Sequence, residues 1–215
     1  MLRTFTIAAL IGAAISCSPE KSGDNGKTLE VDPQDYGNQV LLTTSVGEII
    51  IELDPEMAPL TVANFLNYVT QGHYDGTLFH LVIDGYMIGA GEVAEDFVEK
   101  PGGEPVRSES RNGLKNDRGT IAMMRKPDPH SATAAFFINL NDNMALNYPQ
   151  PDGYGYTVFG RVTSGMETVD QIANTETAIL PLTLLNPDTG EAESREVADV
   201  PTQPIAILSA RRIPK

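Results

Sequence analysis

The chain is poor in the residues on which several kinds of chemistry depend. It holds a single cysteine, Cys17, so no intrachain disulfide is possible. Its three histidines, His73, His80 and His130, show no His-x-x-x-His spacing, whereas a metal site needs about three or four ligands arranged to suit the ion. No metal and no other cofactor is expected. Basic residues are scarce: 15 Lys and Arg stand against 29 Asp and Glu, a formal charge of −14. Binding to a phosphate backbone leans on Lys/Arg clusters, so nucleic acid is not an expected partner, and the acidity reads as solubility. Gly102-Gly103 is a lone pair rather than a phosphate loop, and Ser131 beside His130 is a loop dipeptide rather than part of a triad. No internal repeat is visible. Beyond the N-terminus no apolar run reaches the roughly 18 residues of a spanning helix.

What is present begins with a leader. Arg3 precedes the apolar run Phe5–Ala14, which ends in Ile15-Ser16-Cys17. A basic residue, a short apolar stretch and small residues before a cut point read as a secretory signal. Cys17 directly after a small residue resembles a bacterial lipobox, in which the cysteine is acylated and becomes the new N-terminus. That pattern prefers Leu three residues before the Cys, where this chain has Ala14; an ordinary signal peptide cut nearby is the alternative. Acyl chains would hold the protein on a membrane without spanning it. Ser18 in place of Asp after the cysteine is compatible, by analogy, with sorting to the periplasmic face of the outer membrane. Residues 18–38 are polar, rich in Gly, Asp and Pro, and lack an apolar period, so they read as a flexible tether.

The remaining 39–215 suits one domain, and the 41% hydrophobic content of the whole 215-residue chain suffices for a core of ordinary size. Gln39–Ser45 and Glu48–Leu53 read as a hairpin around Val46-Gly47. Val62, Phe65, Leu66 and Val69 recur at helical spacing, with Pro59 suited to the first turn and Gly72 just past the end. Leu78–Ile83 and Tyr86–Gly89 follow as short strands. The polar stretch Glu92–Lys115 is too long for a mere connection and is expected to border a site. Thr120–Met124 and Ala135–Leu140 are strands joined by a surface loop, Thr157–Val162 another strand, Met166–Ile172 a short helix, and Pro204–Ile213 a final strand. Many short strands with two helices suggest a mainly β, closed antiparallel barrel, since closure removes exposed edges.

Two blocks carry a family resemblance: Asn112-Gly113-Leu114-Lys115-Asn116-x-Arg118-Gly119-Thr120-x-Ala122-Met123, continuing through His130-Ser131-Ala132-Thr133 to Phe136-Phe137-Ile138-Asn139, and Phe79-His80-Leu81-Val82-Ile83-x-Gly85-Tyr86-Met87-Ile88. Over roughly Gln39 to Arg212 the chain resembles the cyclophilin-type peptidyl-prolyl isomerases of bacteria. That resemblance implies an eight-stranded antiparallel barrel capped by two helices, and prolyl isomerase activity on unfolded or flexible polypeptides. Thr175–Val200 does not look like the common family core and reads as an insertion with a turn near residues 186–190.

The resemblance also places the site. His80, Tyr86, Met87, Phe137, Leu146 and Tyr156 match positions that line or edge the proline pocket, with Tyr86 replacing the usual Phe. Directly after the motif His the family carries an Arg, thought to donate a hydrogen bond toward the prolyl nitrogen. Such a bond strengthens only as the peptide twists, as catalysis by differential binding requires. Here that position is Leu81. Two family Gln positions are Gly89 and Ala135, and a usual aromatic is Ala145, so polar or large side chains have given way to small or apolar ones. Arg125 ends a matched strand and is not expected to compensate, since similar bacterial members carry a basic residue there. The expectation is a weakened isomerase. The alternatives are a non-catalytic chaperone or scaffold that grips proline segments, and a structural lipoprotein whose insertion docks a partner.

Overall fold

The computed structural model describes residues 36–186 and 189–215. The expected signal, Cys17 and the tether through residue 35 lie outside the described residues. Eight strands close into one antiparallel barrel: β1 (Tyr36–Thr44), β2 (Gly47–Leu53), β3 (Thr77–Ile83), β4 (Met87–Ala94), β5 (Thr120–Met123), β6 (Phe136–Asn139), β7 (Val158–Ser164) and β10 (Ala206–Pro214). Their order around the barrel is β1-β10-β3-β4-β6-β5-β7-β2. Helices α1 (Pro59–Thr70) and α2 (Met166–Ala173) complete the expected architecture.

Alternation along the strands decides which side chains reach the core. Val40 and Leu42 of β1, Ile49 and Ile51 of β2, Ile88 of β4, Ile121 of β5, Phe136 and Ile138 of β6, and Phe159 of β7 join one large apolar cluster with the inner faces of both helices. Their neighbours Met87, Ala122, Phe137 and Val158 belong to a separate cluster on the other face of the same strands. The side-chain period in a strand is two, so this division is fixed by register, and a one-residue slip would exchange the faces.

Helix α1 shows how the barrel recruits distant loops. Its buried face is Thr61, Val62, Phe65, Tyr68 and Val69, which keeps three of the four expected positions and adds Thr61 and Tyr68, while the expected Leu66 is half-buried against the core. Phe65 meets Tyr74, Phe136 and Phe159 at ring-centroid distances of 5.1, 5.7 and 5.2 Å. Ala58 offers no side-chain cap. Instead the Glu109 carboxylate accepts from the Leu60 N–H at 3.1 Å, the Thr61 N–H at 2.8 Å and the Thr61 hydroxyl at 2.7 Å. The first N–H groups of a helix have no partner within it, and loss of a cap costs about 0.5–2 kcal/mol. Glu109→Ala is therefore expected to lower stability by about 1 kcal/mol in urea denaturation, with an unchanged m-value.

Strand β4 runs to Ala94 rather than stopping at Gly89. Gly89-Ala90-Gly91 has little strand propensity of its own, but Ala90 and Val93 are fully buried, so tertiary packing extends the strand. The stretch 175–200 forms a two-stranded sheet outside the barrel, β8 (Thr177–Leu185) and β9 (Ala192–Pro201). Leu182 and Val200 pack on Val93, with Phe97, Leu180, Leu184 and Val197 around them. Backbone bonds fasten the hairpin: the Glu99 N–H donates to the Thr183 carbonyl at 2.8 Å and the Thr183 N–H to the Phe97 carbonyl at 2.9 Å.

Candidate active site

A groove of about 780 Å³ lies on the outer face of the barrel, lined among others by Leu81, Tyr86, Met87, Phe137, Leu146 and Tyr156. The register explains the grouping: Gly89 pairs with Leu81 on one side and with Phe137 on the other, and Phe137 pairs with Ala122. These residues form one outward row across β3, β4, β6 and β5. Met87, Phe137 and Leu146 are buried at its floor, while Tyr86 and Tyr156 stand partly exposed at its edge. Tyr156 meets Phe137 edge-on at 5.7 Å.

Asparagines hold this cup in shape; Asn116 and Asn139 stand in the matched family block, but nothing in the sequence assigned them or Asn143 this role. Asn143 Nδ2 donates to the Tyr86 carbonyl at 2.8 Å and to Asn139 Oδ1 at 2.7 Å. Asn139 Nδ2 donates to Asn116 Oδ1 at 3.2 Å, and Asn116 Nδ2 to the Leu146 carbonyl at 3.2 Å. The Tyr156 N–H donates to that same carbonyl at 2.9 Å. A buried amide left unsatisfied costs about 1–3 kcal/mol, so this chain of partners resists any shift of Tyr86 or Leu146.

The altered positions divide. Leu81 and Ala135 line the groove. A Cβ added at Gly89 would lie 2.2 Å from Met124 Cε and 3.3 Å from Leu81 Cβ, so Met124 occupies the space that a longer residue at 89 would need. Ala145 is exposed beside Leu146 and does not line the groove. His80 does not line it either. Its side chain is 7% exposed, and Nε2 stands 3.3 Å from Glu92 Oε1 behind the groove wall, while Nδ1 has no hydrogen-bond partner among the described residues. Burial pushes the Glu92 carboxyl up, but the His80 hydrogen bond and the nearby charges of His80 and Lys126 outweigh it and hold the group below its ordinary value.

Arg125 reaches the groove but is fully occupied. Its side chain is 5% exposed and pairs with Asp152 at 2.5 Å. Nε donates to the Gly155 carbonyl at 3.1 Å, Nη1 to the Lys126 carbonyl at 3.1 Å, and the guanidinium lies 4.6 Å from the Tyr156 ring centroid. It buttresses the cup wall and leaves the Leu81 position without a donor. Arg118 turns away, to Asp170 at 2.8 Å and the Leu140 carbonyl at 2.8 Å. Arg125→Ala is expected to lower stability by about 1–2 kcal/mol, the loss of a partly desolvated cation–π contact within the protein. Urea denaturation checks it.

Chain-wide comparison gives the same picture. Residues 39–211 match the family model described as cyclophilin type peptidyl-prolyl cis-trans isomerase/CLD. A peptidyl-prolyl cis-trans isomerase of Streptomyces antibioticus is 48% identical over 174 residues, covering 80% of this chain and 96% of the relative. Peptidyl-prolyl cis-trans isomerase A of Dickeya dadantii is 44% identical over 176 residues, covering 82% and 85%. Among solved structures, a cyclophilin type isomerase of Cryptosporidium parvum superposes with a TM-score of 0.62 at 24% identity, covering 84% of this chain and 99% of that one. At that identity the superposition speaks for the fold alone.

Proposed function

This chain belongs to the cyclophilin-type peptidyl-prolyl cis-trans isomerases, and from that membership we propose that it is an isomerase of reduced activity on X-Pro bonds in unfolded or flexible polypeptides. The observation that carries the proposal is the open apolar cup of Met87, Phe137, Leu146 and Tyr156 beside Leu81. An X-Pro bond isomerises over a barrier on the order of 20 kcal/mol, because resonance stiffens the C–N bond. The planar amide carries more charge separation than the twisted one, so an apolar cup around the ring disfavours the ground state more than the transition state. What Leu81 omits is a donor to the nitrogen as it pyramidalises. One well-placed transition-state donor is worth about 10²–10³ in rate, so the chain runs slower than a member with arginine there by about that factor.

Exchange NMR on a short Ala-Pro peptide tests this reading. Cis/trans exchange clearly faster than the uncatalysed rate supports it. Shifted peptide signals without faster exchange replace it with a non-catalytic proline-binding chaperone or scaffold, a reading favoured by the full engagement of Arg125. No shift and no exchange would remove the cup from both.

The location proposed with this function is extracytoplasmic, with acylated Cys17 holding the domain on a bacterial membrane at the periplasmic face. Two acyl signals give stable anchoring where one chain is marginal. Cys17→Ser is expected to shift the protein from the membrane to the soluble fraction. Mass spectrometry of the N-terminal peptide checks it, and a soluble, unacylated parent protein would contradict the anchor.

A further inference from the structure

The groove does not end at the cup. It continues along Glu92 and Glu99 to Leu184 and Leu185 of the β8–β9 hairpin, whose residues belong to no block of the family resemblance. The hairpin is held there by a bond that also fixes a carboxylate, the Leu185 N–H donating to Glu99 Oε2 at 2.7 Å. This far end is thus lined by the last two residues of β8, of which Leu184 also packs on the Val93 cluster, and by the two acidic residues Glu92 and Glu99. Burial, together with the Glu92 charge, raises the Glu99 carboxyl above its ordinary value despite the bond from Leu185.

We propose that this far end is a specificity subsite for a lysine or arginine side chain flanking the bound proline, its aliphatic stem against the end of β8 at Leu184–Leu185 and its cationic head facing Glu92 and Glu99. The proposal rests on the reading of the cup as the proline site. Long cationic side chains place their stems on apolar surface while the head keeps polar company, and the far end offers both in sequence. Charge favours the same occupant. The cations that line the groove are Arg125, already bonded to Asp152, Arg195, already bonded to Glu193 at 2.8 Å, and Lys126. Lys126 is exposed, and its charge reaches both Glu92 and Glu99. It makes no ion pair with either carboxylate among the described residues, so an incoming cation has no such pair to break. A segment with an acidic residue at that place would meet two carboxylates, so the subsite rejects as well as selects.

The test is a lysine scan. Peptides with one central Ala-Pro and a single Lys at each of the three places on either side are compared with the matching Gln and Glu peptides, by NMR titration of the whole protein at low salt. One lysine place is expected to bind about 3- to 10-fold tighter than its Gln counterpart and Glu to bind weaker, with the advantage fading at high salt. The Lys/Gln ratio, taken within each variant so that changes in overall affinity cancel, is expected to fall to about one in Glu92→Gln/Glu99→Gln and to rise in Lys126→Gln. A flat scan, or a ratio that survives loss of both carboxylates, overturns the proposal. N-acetyl-lysine methylamide, which has no proline, separates the two readings. If it shifts the Glu99 side-chain carboxyl resonance while neutral Ala-Pro peptides leave the cup unmoved, the proline reading fails and the cation subsite stands. If neutral peptides bind and neither lysine probe is preferred, the cup stands and the subsite fails.

Discussion

Leu81→Arg combined with Gly89→Gln is expected to raise kcat/KM on an Ala-Pro peptide by roughly 10²–10³, the worth of one transition-state donor held in place. The pair is specified because the two positions face each other across β3 and β4. A lone arginine brings about 2 kcal/mol of rotamer freedom that something must restrain. In this groove the nearest restraint is the wrong one: Glu92 lines the same wall and would draw the guanidinium away from the proline. A glutamine at 89 supplies a competing polar neighbour. It must displace Met124, whose Cε sits where the new Cβ would be. That atom is the end of a flexible, unbranched side chain, so the displacement is a rotamer change rather than a backbone shift. Leu81→Arg alone is accordingly expected to gain about tenfold or less. Exchange NMR on the parent, both single variants and the pair gives the coupling directly as a double-mutant cycle. Equal rates in parent and pair, with both folded, would show that the missing donor is not what limits this chain.

The same residues mark how far the sequence could be read. The barrel, both helices and the element ends near Leu53, Thr70 and Ile83 were legible, because alternation and helical spacing are local signals that tertiary packing here reinforces. The outward row was legible only through the family blocks: periodicity alone places Phe136 and Phe137 in one apolar run and cannot say which faces the core. Met124 filling the space at Gly89 was not legible, since Gly89 lies in β4 and Met124 just past the end of β5, some thirty-five residues on. Glu92, Glu99, Leu184 and Leu185 meet only because the β8–β9 hairpin docks on Val93 and Phe97. That contact joins positions nearly ninety residues apart, as in the bond from Leu185 to Glu99, and no local pattern encodes it. His80 was expected at the pocket edge from its motif; the bulge in β3 between Phe79 and Leu81 accompanies its turn toward Glu92.

Adjacent phenylalanines on β6 give the second large expected effect, and they separate fold from site. Phe136 is fully buried and touches both Phe65 and Tyr74, at 5.7 and 5.4 Å. Phe136→Ala leaves a closed cavity among rigid rings, and such truncations cost about 3–5 kcal/mol. Folded domains hold only about 5–15 kcal/mol in total, so this one change is expected to consume much of the margin and lower Tm by about 6–20 °C. Phe137 is equally covered, 1% exposed, yet it packs in the outer cluster and floors an open groove. Removing it widens that groove instead of enclosing a void, so the cavity contribution is mostly absent and the stability loss is expected to be the smaller of the two. Its functional loss is the larger, because the proline ring would have no floor and Tyr156 no edge-on partner. Thermal unfolding and Ala-Pro titration of both variants check the ordering. If Phe137→Ala proved the less stable variant while binding peptide normally, Phe137 would be core and the cup would have to be placed elsewhere on the barrel.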